Sequence, residues 1–297
     1  MDNRPDIICI GSVLWDVIGR ARREMRQGSD VPGRIVQLPG GVAMNIAMTL
    51  RRFDLHPALL SVVGTDAEGA QLVAATQDMG LDTRYLFRSP DLPTDRYMAI
   101  EGANGLIAAI ADAHSLEAAG DAILAPLRDG RLGSAAAPYE GMIALDGNLT
   151  TQLLAQIAVD PCFAAADLRV APASPGKAER LLPFVAAGRA TLYVNLEEAQ
   201  LLCGAQFSTS VEAVTDLLAR GAQRVLVTDG GGLAAEGDGR GIRRAVPPEV
   251  TALRITGAGD TFMAAHMSAE RRGLEPSAAL DFALDAAARY VSGETKL

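Results

Sequence analysis

The chain has 297 residues, 49% of them hydrophobic, and a formal net charge of −9. That is enough apolar material for one large α/β domain or two small ones, and the negative balance argues against a general nucleic-acid or anionic-membrane surface. No apolar run reaches the roughly 18–20 residues of a membrane span. The scattered Cys9, Cys162 and Cys203 read as buried free thiols of a cytoplasmic protein.

After a charged amino terminus, Asp6–Ser12 predicts a buried first strand. Apolar positions 43, 46, 47, 50 and 53 have helical spacing, Ala58–Val63 predicts a strand and Glu68–Met79 a helix. Short buried strands follow at Met142–Leu145, Leu192–Val194 and Arg224–Val227, with helices between them. A helix opening at Asp260 and another over Ala278–Val291 close the chain. The alternation predicts an α/β fold, a doubly wound and mostly parallel sheet covered on both faces. We read residues 1–297 as a single domain.

One segment breaks that rhythm. Residues 97–101 and 106–110 predict a hairpin turning at Asn104-Gly105, with Val31–Leu38 as a further strand beside it. A small antiparallel β sheet inserted around 31–38 and 96–112 suits a lid over a site and a homodimer contact. An edge hairpin of the main sheet is the alternative.

The strongest chemical signal is Thr256-Gly257-Ala258-Gly259-Asp260, set before the apolar helical run Phe262–Met267. Unpaired amides at a helix start attract phosphate, and glycines let backbone approach an anion. A carboxylate alongside can accept the proton of an attacking hydroxyl. The plainer reading is a tight loop with Asp260 as an ordinary N-cap.

Four other places fit phosphoryl transfer. Gly40-Gly41-x-x-x-Asn45 brings two glycines and a carboxamide to a helix start, or is simply a strand-to-helix turn. Asp16, just beyond the first strand, can accept two sugar hydroxyls, while Trp15 reads as core. Asn195 and Glu198, three apart on a first helical turn, can hold waters of a Mg2+ or merely enrich a helix N-terminus in acid. Thr228-Asp229-Gly230 ends a strand in a glycine-rich turn that passes a nucleotide or is only flexible. No Gly-x-x-x-x-Gly-Lys-Ser/Thr is present, and the first strand is followed by Gly11-Ser12-Val13 rather than Gly-x-Gly-x-x-Gly.

In this order and spacing the motifs resemble the ribokinase-like (PfkB) carbohydrate kinase family. Gly40-Gly41-x-x-x-Asn45 and Thr256–Asp260 are similar to its two signatures, and Val63–Gly69 and Asn195-x-x-Glu198 to intermediate motifs. Within the family, Leu106–Asp112, Asp146-Gly147-Asn148-Leu149 and Ala173–Lys177 are most similar to pseudouridine kinases. The resemblance implies a ribokinase-like fold and transfer of the γ-phosphoryl group of ATP to a primary hydroxyl of a ribosyl ligand. It implies Asp260 as catalytic base and the amides of Gly257, Ala258 and Gly259 as the anion hole. Asn195 and Glu198 would hold Mg2+ through water, Thr228, Gly230 and Thr256 would line the nucleotide, and Asp16, Gly40, Gly41 and Asn45 would grip the sugar. The resemblance also leaves room for a monovalent cation such as K+.

The helix end is expected to keep Asp260 ionised. The C-terminal signature departs from the family pattern at Arg254-Ile255, where Asp-Thr is usual. Arg254 is expected to contact a nucleotide phosphate or to face solvent.

Overall fold

The computed structural model describes residues 5–26 and 28–294, so the charged amino-terminal residues ahead of Pro5 lie outside the described residues. In β1 (Ile7–Ile10), Ile7 and Cys9 pack into one apolar cluster and Ile8 and Ile10 into another. Successive strand side chains point to opposite faces, so a strand buried on both sides reads as an unbroken apolar run.

The chain continues through β2 (Leu14–Arg20), β3 (Arg34–Gly40), α1 (Val42–Arg52), β4 (Pro57–Leu60), β5 (Val62–Gly64), α2 (Ala67–Asp78), β6 (Phe87–Ser89), β7 (Arg96–Gly102), β8 (Gly105–Asp112) and α3 (His114–Ala119). Its second half runs β9 (Met142–Asp146), α4 (Thr151–Val159), β10 (Asp167–Ala171), α5 (Leu182–Ala187), β11 (Thr191–Asn195), α6 (Leu196–Cys203) and α7 (Ser210–Ala219). It closes with β12 (Arg224–Thr228), β13 (Ala234–Asp238), β14 (Gly241–Ala245), α8 (Ala258–Arg271) and α9 (Pro276–Val291).

Eight strands form the main sheet in the order β14-β13-β12-β11-β10-β9-β1-β4. It is parallel from β12 to β4 and antiparallel across β13 and β14. Met44, Leu50, Phe262, Met263 and Leu280 from α1, α8 and α9 cover one face. Leu154, Phe184, Leu202 and Leu217 from α4, α5, α6 and α7 cover the other. This is the predicted doubly wound α/β architecture. Cys9, Cys162 and Cys203 are buried and free, and among the described residues no helix is long and apolar enough to cross a membrane.

A second sheet has the order β3-β2-β7-β8. Both segments predicted for it are there, and it is separate from the main sheet. It is mixed rather than purely antiparallel, because β2 joins it and pairs in parallel with β7. β2 is not among the strands predicted, because its apolar residues run on almost directly from β1. The predicted strand Ala58–Val63 is likewise two strands, β4 in the main sheet and β5 paired with β6.

One buried ionic cluster fixes α8 beneath the sheet. Arg169, only 5% exposed, reaches Asp167 (2.6 Å), Glu270 (2.5 Å) and the Tyr193 hydroxyl (3.0 Å). Arg224 bridges Glu270 (2.6 Å) and Glu236, and the Tyr193 hydroxyl meets His266 Nδ1 at 2.8 Å. Buried charges persist only when paired and hydrogen-bonded in this way. The charged residues at 167 and 169 also break the apolar run of β10, which is why that strand is not among those predicted.

Candidate active site

Parallel strands in an open α/β sheet deliver side chains to the edge where their carboxyl ends emerge. Here Ser12 follows β1, and Asp146, Asn195 and Thr228 end β9, β11 and β12, with Asn195 and Thr228 in direct register. Helices α1 and α8 begin at the same edge. Asn45, on the first turn of α1, donates from Nδ2 to Asp260 Oδ2 at 2.9 Å.

Asp260 is not the N-cap of α8; Gly257 is, at φ 87°. The carboxyl is thereby released from capping and turned toward α1. Burial pushes it up to about 7, against the lowering effect of the Asn45 bond, and the charges of Asp146, Asp16 and Glu198 push the same way. This corrects the expectation that the helix end keeps Asp260 ionised. Carboxyl groups from β9, β2 and α6 are thus close enough for their charge to reach Asp260 on α8.

The amides at the start of α8 are not equivalent. That of Ala258 donates to the Ile255 carbonyl at 3.0 Å, closing a turn. Those of Gly259 and Asp260 have no backbone partner among the described residues. The amides of Gly259 and Asp260 are therefore free to donate, and that of Ala258 only if the turn opens.

Asp16 lies beyond the first strand, as expected, and within a second one, β2, where burial raises its carboxyl to about 6. It owes its position to Gly40, the residue paired with Leu14 on the neighbouring strand. A Cβ on Gly40 would sit 2.1 Å from Asp16 Oδ2, so any side chain there would displace the carboxylate. Gly41 is the N-cap of α1, and the α1 amides of Val42 and Met44 donate to Ser12 Oγ (2.9 Å) and Ser12 O (3.3 Å) rather than facing the cleft. Trp15 is core: it is 7% exposed and its Nε1 donates to the Glu68 carbonyl.

Ser12, which sequence reading passed over, is a junction. Its amide and hydroxyl both donate to Asp146 Oδ2, and its Oγ also accepts from Asn148 Nδ2 at 3.1 Å. Asn148 N donates to Asp146 Oδ1 (2.7 Å), and the Lys177 ammonium donates to Asn148 Oδ1. Burial and the neighbouring Arg180 hold that ammonium below the usual lysine range. Two of the three short segments resembling pseudouridine kinases, Asp146–Leu149 and Ala173–Lys177, thus meet each other and, through Ser12, the start of α1.

Asn195 and Glu198 form a reciprocal capping box on α6: Glu198 N donates to Asn195 Oδ1 (2.8 Å) and Asn195 N to Glu198 Oε2 (2.9 Å). Burial raises Glu198 to about 7. Gly230 is exposed at φ 53° in the turn after β12, and Thr256 is exposed just before Gly257. Asp66, in the motif Val63–Gly69, caps α2 through Gly69 N (2.6 Å) and accepts from Thr94 N (2.8 Å), anchoring the approach to β7. Arg254 is exposed to solvent, one of the two things expected of it, and is held there: its Nε donates to the Tyr290 carbonyl and its guanidinium stacks on the Tyr290 ring. A surface groove lined by Asp167, Arg189 and Gln223 shares no residue with this cleft.

Residues 4–294 match the pfkB family carbohydrate kinase profile. The chain belongs to the pfkB family. It is accordingly a phosphotransferase. The uncharacterized sugar kinase YeiI of Escherichia coli (strain K12) is 29% identical over 266 residues, covering 86% of this chain and 70% of that protein. The pseudouridine kinase of the same organism is 27% identical over 300 residues, covering 99% and 93%. Among solved structures, a carbohydrate kinase from Agrobacterium tumefaciens superimposes with a TM-score of 0.81 at 24% identity, over 98% of this kinase and 92% of that chain. The Arabidopsis thaliana ribokinase solved with ribose and ATP gives 0.76 at 21% identity, over 97% and 92%. These two likenesses carry the ribokinase-like fold.

Proposed function

We propose that this chain is an ATP-dependent kinase that phosphorylates the primary, 5′ hydroxyl of a ribosyl ligand, and that its acceptor is pseudouridine. The observation that carries the kinase chemistry is the Asn45–Asp260 bond, which joins a sugar-gripping helix start to a carboxyl beside free helix amides. The acceptor reading is supported by the Asp146–Asn148–Lys177 network and by the 27% identical pseudouridine kinase.

In this reading Asp16 and Asn45 hold ribose hydroxyls, with Gly40 and Gly41 shaping the wall behind them. Thr228, Gly230 and Thr256 border the nucleotide. Phosphoryl transfer passes through a loose transition state, so the protein mainly positions reactants and meets charge. Gly257, Gly259 and the amide of Asp260 face the charge that develops on the transferred group, joined by Ala258 when its turn opens. The Asp260 carboxylate accepts the hydroxyl proton late, as the oxygen bonds to phosphorus, and a carboxyl near 7 suits that task.

The Asn195–Glu198 pair fits water-mediated support of Mg2+. The capping box holds both side chains rigid yet leaves Asn195 Nδ2 and one Glu198 oxygen outside it. Mg2+ there would neutralise phosphate charge.

We further propose that the chain acts in the cytoplasm as a single kinase domain over residues 1–297, and that the second sheet is its lid. Asp16, Leu38 and Tyr97 share one face of that sheet by register. Ile35, Met98, Ile100 and Ile110 lie on the other, all exposed, where the lid of a second copy would pack to form a homodimer. An ADP-release screen over pseudouridine, uridine, adenosine, ribose and fructose tests the acceptor. Clear preference for pseudouridine supports the reading, and preference for a free sugar overturns it.

A further inference from the structure

The Arg254-Ile255 departure has a structural answer at the carboxyl end of α9. Arg254 Nε donates to the Tyr290 carbonyl at 2.7 Å, and its guanidinium carbon lies 3.8 Å from the centroid of the Tyr290 ring. The amides of Leu253 and Arg254 both donate to the Val291 carbonyl (2.9 and 3.2 Å), and the Tyr290 hydroxyl donates back to the Thr256 carbonyl at 2.8 Å. Gly257 passes so close beneath that a Cβ there would lie 2.6 Å from the Tyr290 hydroxyl. The segment leading into the phosphate-binding amides is therefore clasped to a helix end.

A helix C-terminus favours a cation. A monovalent ion in this corner would need free oxygen ligands, as K+ does when carbonyls replace its water. The carbonyls of Ile255, Thr256, Gly257, Tyr290 and Val291 each already accept a hydrogen bond, and positions 254 and 255 offer no carboxylate. The Arg254 guanidinium already supplies the positive charge at this helix end, and with no carboxylate to offset a second one the residues present do not fit a K+ ion. Resting on the kinase reading above, we infer that Arg254 is a built-in cation that braces the phosphate-binding loop, and that the enzyme works without a monovalent activator. Arg254 is a positioning residue, acting through Tyr290 and Thr256 on the amides that follow.

The test compares melting temperature and ADP-release rate of the full chain in equal concentrations of KCl and choline chloride. Wild type should melt and turn over alike in both salts. Arg254→Asp, which restores the usual carboxylate, should melt higher in KCl than in choline chloride. Arg254→Gln should raise KM for ATP about three- to ten-fold, with KM for the acceptor unchanged, and Arg254→Lys should recover part of that loss. A wild-type melting temperature or rate that rises specifically with K+ overturns the inference, as does an unchanged KM for ATP in Arg254→Gln. Should no acceptor be phosphorylated, the kinase reading falls, and the melting comparison still decides the cation.

Discussion

Asn45 and Asp260 lie 215 positions apart in sequence, and a 2.9 Å hydrogen bond joins them at the amino ends of α1 and α8. The bond lowers the Asp260 carboxyl against the burial that raises it. In the proposed reading, Asn45→Ala removes a sugar contact and that restraint together. It should raise KM for the acceptor at least ten-fold with little change in KM for ATP, and move the pH–rate profile to higher pH. Equal losses of acceptor and ATP affinity would contradict the assignment of Asn45 to the sugar side.

Rate and stability should respond to pH in opposite directions. A base near 7 works only when deprotonated, so kcat/KM should rise with pH through about 7. Asp260, and Asp16 near 6, hold protons in the folded chain that the unfolded chain has already released, so stability from these groups falls as pH rises from about 4 to 7. Asp260→Asn should therefore melt above wild type at about pH 8 and converge with it near pH 4. Melting curves at the two pH values check the sign.

Gly40→Ala tests the packing behind Asp16. The new Cβ displaces the Asp16 carboxylate, so KM for the acceptor should rise while the fold, read by circular dichroism, persists. An unchanged acceptor KM would show that Asp16 does not need this position.

The Arg169 cluster makes a separate prediction about α8. Arg169→Met leaves Glu270 buried with only part of its compensation and should cost about 3–5 kcal/mol of stability, read by denaturant unfolding. Loss below 1 kcal/mol would mean that α8 is held by its apolar face alone.

Much of this was legible in the sequence, for identifiable reasons. Strands buried on both faces appear as apolar runs, which is why β1, β9, β11 and β12 could be placed, and Asn104-Gly105 marked the hairpin of the second sheet. Asp260, Asn45, Asp16 and Glu198 could be singled out because helix starts and strand ends have local residue signatures. What stayed hidden depends on contacts between distant residues. Nothing around Ser12 announces that it joins Asp146 to α1, and nothing at Tyr290 announces that Arg254 will stack on it. The Ala258–Ile255 turn and the raised Asp260 carboxyl also arise only when the loop is folded against its neighbours.

The most direct measurement is the single-turnover rate of product formation from ATP and pseudouridine, wild type beside Asp260→Asn, with nucleotide binding measured in parallel. If Asp260 takes the proton from the attacking hydroxyl, the variant should bind ATP with near-native affinity and form product about a thousand-fold more slowly. A variant that forms product at close to the wild-type rate would contradict the account.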